Sequence, residues 1–140
     1  MANLNAAVAL SLLDTLSENI AGRRRRVNAY QELLGAEERL SLIAHGAGSA
    51  CLTQVVRILP TRDGDDLAAR VVEVLGRAGY EVQGSYIPIH LLPGYETLAQ
   101  RGLRHAERVW GELVELPCEP EVSLDHVERI ATIVRRIVKA

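Results

Sequence analysis

Lysine is almost missing from this sequence. The only one among 140 residues is Lys139, next to last. Chemistry that needs a primary amine held rigidly beside a reacting group therefore has one candidate. Chain termini fray, so Lys139 reads as part of a solvated tail. Phenylalanine is absent and the aromatics are Trp110 and four tyrosines, so the core must be built from Leu, Val, Ile and Ala. Cysteine is scarce too: Cys51 and Cys118 lie far apart, which argues against a disulfide framework and for buried thiols in a reducing, cytoplasmic setting. No apolar run approaches the ~20 residues that span a bilayer, and the start lacks the layout of a secretory signal. The net charge of −2 supplies no field for nucleic acid or an anionic membrane, and neither is expected as a partner.

What is present is a pattern of helices and short strands. Val8, Leu12, Leu16, Ile20, Val27, Tyr30 and Leu34 recur near a 3.5-residue spacing and predict one long helix over Asn3–Leu34. Asn3 or Asn5 would cap it, and Gly35 would stop it in a left-handed conformation. Apolar runs at Leu40–Ala44 and Ala50–Leu59 flank the turn residues His45-Gly46-Ala47-Gly48-Ser49 and predict a hairpin ended by Pro60. Asp63 is expected to cap a helix that runs to Ala78, with Leu67, Val71, Val74 and Leu75 inward and Gly79 as its stop. Tyr80–Ile87 reads as a strand, and Pro88, Pro93 and Gly94 impose an irregular loop after it. A helix over Arg101–Glu112 would bury Leu103, Ala106, Val109 and Trp110. Val114–Pro117 reads as an edge strand, since proline cannot donate to a ladder. Ser123 caps a last helix with Asp125 and Glu128 in its first turn and Val127, Ile130, Val134, Ile137 and Val138 inward. The expected fold class is α/β (α+β): a small open mixed or antiparallel sheet covered by helices, with 1–34 as a long helix and 40–140 as the αβ body.

Several conspicuous residues have plain readings. Arg23–Arg26 spread around a helix instead of forming one basic stripe, so they suit a solvated surface with ion pairs to Glu18 or Asp14 better than nucleic acid. Gly46-Ala47-Gly48-Ser49 precedes a strand and not a helix, so it is a turn and not a phosphate cradle. His45, His105 and His126 lack the spacing of metal ligands. Trp110 reads as core, or as part of a surface that meets another domain.

Four strings, in order, resemble one family: Asn3-Leu4-Asn5-Ala6-Ala7; Ala21-Gly22-Arg23-Arg24-Arg25-Arg26 with Tyr30-Gln31-Glu32-Leu33-Leu34; Tyr86-Ile87-Pro88-Ile89-His90-Leu91-Leu92-Pro93-Gly94-Tyr95; and Leu116-Pro117-Cys118-Glu119-Pro120 with Ser123-Leu124-Asp125-His126-Val127. Together they resemble the C-terminal small domain of the DegT/DnrJ/EryC1/StrS family of sugar-nucleotide aminotransferases, which use pyridoxal phosphate. Glu119 stands where that family often has histidine, and Ser49-Ala50-Cys51 is smaller than its usual aromatic-rich strand. The resemblance implies that the cofactor lysine and most phosphate ligands belong to a large domain outside these 140 residues. The chain then reads as a detached small domain, the product of a truncated or split gene or of a misplaced start. It would hold no cofactor alone, and it would be inactive alone.

The resemblance further implies that His90 and Tyr86 border the active-site cleft of an assembled enzyme. The plain alternative for His90 is a histidine that bonds loop backbone and fixes the turn. The expected partners are the large domain or an intact aminotransferase, and a second copy through the long helix, whose apolar face would otherwise be bare. A different class of function stays open: a stand-alone, non-catalytic dimerisation or regulatory module that reuses this fold. A small α/β ligand-binding domain, with a polar pocket near His90 and Tyr86, is a third.

Overall fold

A computed structural model of the protein describes residues 3–95 and 102–140. The helix expected over Asn3–Leu34 is two helices, α1 (Asn3–Leu13) and α2 (Leu16–Leu34). They part at Asp14-Thr15, where short polar side chains compete for the backbone. Thr15 Oγ1 donates to the Leu12 carbonyl at 3.3 Å and accepts from Asn19 Nδ2 at 3.3 Å. α1 buries none of its residues. α2 buries Gly22, Val27, Tyr30 and Leu34, the stripe that a 3.6-residue period places on one side. Gly35 ends α2 in a right-handed conformation, φ −65°, and donates its N–H to the Gln31 carbonyl; the expected left-handed stop is not used. An added Cβ there would meet that carbonyl oxygen at 2.5 Å, so glycine is required by space.

The hairpin forms with shorter strands than expected, β1 (Leu40–Leu42) and β2 (Thr53–Ile58). α3 spans Leu67–Arg77, and Asp66, not Asp63, caps it by accepting from the Ala69 N–H at 2.9 Å. Gly79, at φ 85°, reverses the chain so that the Tyr80 N–H reaches the Leu75 carbonyl, the closing bond of a left-handed helix stop. Of the strand expected over Tyr80–Ile87, only β3 (Gln83–Gly84) pairs. The next carbonyl, Ser85, accepts from Trp110 Nε1 at 2.8 Å, and beyond it Pro88 has no N–H to offer.

α4 spans Arg104–Gly111 and buries none of its residues fully. Leu103 and Ala106 are exposed and not buried as expected, and no residue of α4 joins the buried core cluster. Arg101, the expected start of that helix, lies outside the described residues. β4 (Leu113–Pro117) is not an edge. The sheet order is β1-β2-β4-β3, all antiparallel. Pro117 is tolerated because it is the last residue of its strand, opposite Thr53. α5 (Leu124–Lys139) begins as expected, with Ser123 Oγ accepting from the His126 N–H.

The core lies between one sheet face and α2, α3 and α5. Gln54, Val56 and Ile58 of β2 face it with Val114 and Leu116 of β4. Leu67, Val71 and Leu75 of α3 meet Val127, Ile130, Ala131, Val134, Ile137 and Val138 of α5. Gln54 is fully buried among them. Its amide donates to the Ile43 and Val55 carbonyls and accepts from Gln31 Nε2, so its burial leaves no polar atom orphaned.

The arginine run braces α2 and forms no ion pair to Glu18 or Asp14 among the described residues. Arg23 donates to the Leu52 carbonyl, Arg24 to those of Ala47 and Ser49, and Arg26 to those of Val122 and Pro120. Lys139 is not a loose tail either. Its Nζ lies 3.0 Å from Glu37 Oε1, which also accepts from Arg135 Nε at 2.7 Å. The Lys139 hydrogen bond, then that of Arg135, holds the Glu37 carboxyl below its ordinary value. A carboxylate with a lowered folded pKa stabilises the fold above its unfolded pKa, ordinarily 4.5, and that contribution is lost as pH falls through the folded pKa. The melting temperature of Glu37→Gln is therefore expected to fall less steeply in acid than that of the parent chain. Superimposable acid limbs would refute this role for Glu37.

Candidate functional site

The segment singled out in the sequence forms an arch. It leaves the sheet at Gly84, runs from Ser85 through Pro88 into a single 3-10 turn at Ile89–Leu91, and leaves through Gly94 in a left-handed conformation, φ 90°. The arch holds its two candidate residues differently. His90 is 6% exposed, and its Nε2 lies 3.1 Å from Glu107 Oε1 on α4. A carboxylate only accepts, so Nε2 carries the proton. Among the described residues, the hydrogen-bond partner of the His90 ring is a side chain of α4. Tyr86 is 83% exposed, and Ile87, Ile89 and Leu91 are exposed beside it.

The foot of the arch is fixed by a second group. Glu115 points away from the helices on central strand β4 and is buried. Its two oxygens accept from Ser85 Oγ at 3.2 Å and Gln83 Nε2 at 3.4 Å. Arg57 and Glu112 pair at 2.6 Å on the same side of the sheet. Glu115 also lines a cleft of about 430 Å³ with Glu81, Glu119, Thr53 and Gln83. Sequence reasoning missed Glu107, Trp110 and Glu115 as neighbours of the arch. The signal for the first two was present, since residues three apart share a helix face. Nothing local marks Glu115, which reaches the arch only through strand pairing.

The remaining candidates are dispersed. His45 Nδ1 lies 3.2 Å from Ser49 Oγ, and Ser49 Oγ accepts from the Cys51 N–H; His45 Nε2 is buried with no hydrogen-bond partner among the described residues. Cys51 has φ 52°, a left-handed conformation costly for a residue with a Cβ. His105 contacts Arg108, and His126 meets the ring of Tyr80 edge-on. Among the described residues no group of three His, Cys, Asp or Glu could hold a metal ion. Both cysteines are free and buried. Burial first, and Glu119 second, push the Cys118 thiol up to about 12, so it is no nucleophile. Burial likewise drives the Tyr30 phenol far above the ordinary range.

Residues 1–135 match the sequence profile of the DegT/DnrJ/EryC1/StrS aminotransferase family. The chain belongs to that family. GDP-perosamine synthase of Caulobacter vibrioides is 26% identical over 133 residues, which are 93% of this chain and 35% of that protein. A family aminotransferase from Brucella abortus superimposes with a TM-score of 0.72 at 27% identity, over 94% of this chain and 34% of that one. PseC of Helicobacter pylori, an aminotransferase involved in the biosynthesis of pseudoaminic acid, superimposes at 0.80 with 20% identity, over 95% and 36%. The chain thus spans about a third of the length of the relatives it matches, and its α/β fold is theirs.

The family's cofactor, pyridoxal phosphate, needs a lysine amine beside its ring. The described residues do not bring an amine to the arch. The ammonium of Lys139 is held by Glu37 in the last turn of α5. It lines a cleft with Arg39, Thr61, Arg62, Asp63 and Arg70, to which no residue of the arch contributes. Amine and arch do not meet.

Proposed function

We propose that these residues act as the small-domain part of a sugar-nucleotide aminotransferase, with the cofactor lysine supplied by residues outside them. The observation that carries this reading is the family match across 1–135 by a chain spanning about a third of its relatives. The arch supports it: Tyr86 is offered outward on a loop braced from behind by α4 and β4. A keto sugar linked to a nucleotide is the substrate class, and Tyr86 borders its cleft. His90 borders it through the loop that it fixes. The two reduced thiols suit a cytoplasmic setting, and among the described residues no helix is long and apolar enough to cross a membrane.

The test is direct. The purified chain, mixed with pyridoxal phosphate and reduced with borohydride, should show no stoichiometric pyridoxyl group on Lys139 by mass spectrometry. Partner-free chain that converts a keto sugar nucleotide into an amino sugar would overturn the reading. One observation favours a second reading, a stand-alone dimerisation or regulatory module: α1 exposes Leu4, Val8, Leu10, Leu12 and Leu13. That reading predicts a stoichiometric complex with an intact aminotransferase.

A further inference from the structure

Among the described residues, two hydrogen bonds join α4 to the arch. Trp110 Nε1 donates to the Ser85 carbonyl at 2.8 Å, where the chain leaves the sheet. Glu107 Oε1 accepts from His90 Nε2 at 3.1 Å, at the far side of the turn. Glu107 and Trp110 lie three residues apart and so project from one face of the helix. Between the two grips lie Tyr86, Ile87, Pro88 and Ile89. Tyr86, Ile87 and Ile89 are exposed, and the ladder of β3 has already ended at Gly84. Sheet pairing therefore does not fix the crest. The hydrogen bonds that cross to it come from α4, from Glu115 at its foot, and from within the turn, where the Leu91 N–H reaches the Pro88 carbonyl.

We infer that Glu107 and Trp110 are positioning residues, a two-pronged clamp by which α4 holds His90 and, through the arch, sets the placement of Tyr86. The importance of Tyr86 rests on the cleft reading above; the clamp does not. Placement matters because a group bordering a cleft works only within a narrow range of positions, and misplacement by about 1 Å costs about a hundredfold in rate. The role assigned to His90 here is the grip on Glu107 from a buried position.

The clamp is tested by substitutions that separate hydrogen bonding from bulk. Glu107→Ala removes the acceptor from a side chain that is 41% exposed, so the fold should survive. Glu107→Gln keeps an acceptor oxygen. Trp110→Phe keeps a ring and removes the donor. Amide hydrogen exchange over 85–92 should accelerate about tenfold or more in Glu107→Ala, the consequence of losing one charge-assisted hydrogen bond. The His90 Nε2–H resonance is expected to exchange slowly in the parent chain and to vanish in Glu107→Ala. Glu107→Gln should restore both. Trp110→Phe should loosen 84–87 and leave the His90 resonance in place. Exchange within about twofold of the parent in Glu107→Ala, or Glu107→Gln as loose as Glu107→Ala, overturns the clamp. None of these readouts involves cofactor or substrate, so their failure is distinct from failure of the cleft reading.

Discussion

Tyr30→Ala is expected to remove about 4 kcal/mol of stability, roughly a third of what a chain of this size possesses. Tyr30 is fully buried on α2 and anchors both layers of the fold. Its ring packs in the core that α2 shares with α5, and its hydroxyl donates to the Pro117 carbonyl at 3.2 Å, at the end of β4. Truncation leaves a cavity in the close-packed core that holds Leu34, Val127 and Ile130, and that core can close it only in part. Urea unfolding should show the midpoint falling by about 2 M, given a slope near 2 kcal/mol per M. Tyr30→Phe separates the two contributions: it keeps the ring and loses the bond, which is expected to cost about 1 kcal/mol. Equal losses in the two variants would mean that the hydroxyl and not the packing carries the residue. A loss below about 1 kcal/mol in Tyr30→Ala would place the ring outside the core.

Tyr30 also shows how far the sequence was legible. The stripe of Val27, Tyr30 and Leu34, the inward faces of α3 and α5, and the Ser123 cap follow from periodicity and capping alone. These features depend on neighbours within four residues. Several of the departures lie where the decisive partner is remote in sequence. β4 looked like an edge because proline cannot donate, yet its ladder simply ends at Pro117 between β2 and β3. The strand before the arch looked longer because nothing local says that Trp110 takes the Ser85 carbonyl. The arginine run looked solvated because its acceptors are backbone carbonyls of distant loops. The same limit governs the site. His90 stood out through its prolines and its resemblance to a family motif, whereas Glu107 became its partner only once α4 was laid across the arch.

The second large effect concerns α1. Eleven residues without a charge form this helix, and it buries none of them. Leu4, Val8, Leu12 and Leu16 follow one another at four-residue steps, and Leu10 and Leu13 widen the stripe to the opposite side. A helix that is apolar nearly all round is normally covered. On the proposed reading the rest of a larger enzyme covers it; in the chain by itself, a second copy is the available cover. Sedimentation equilibrium should therefore find the purified chain associated. The double variant Val8→Lys, Leu12→Lys should weaken that association about a thousandfold or more, since each buried aliphatic side chain contributes roughly 2 kcal/mol. Its melting temperature in the monomeric state should barely change, because α1 contributes nothing to the core. A parent chain that stays monomeric at every accessible concentration would show that water tolerates this surface and remove the case for a partner at α1. A variant as tightly associated as the parent would move the interface elsewhere. The exposed crest of Tyr86, Ile87 and Ile89 is the next apolar surface to test.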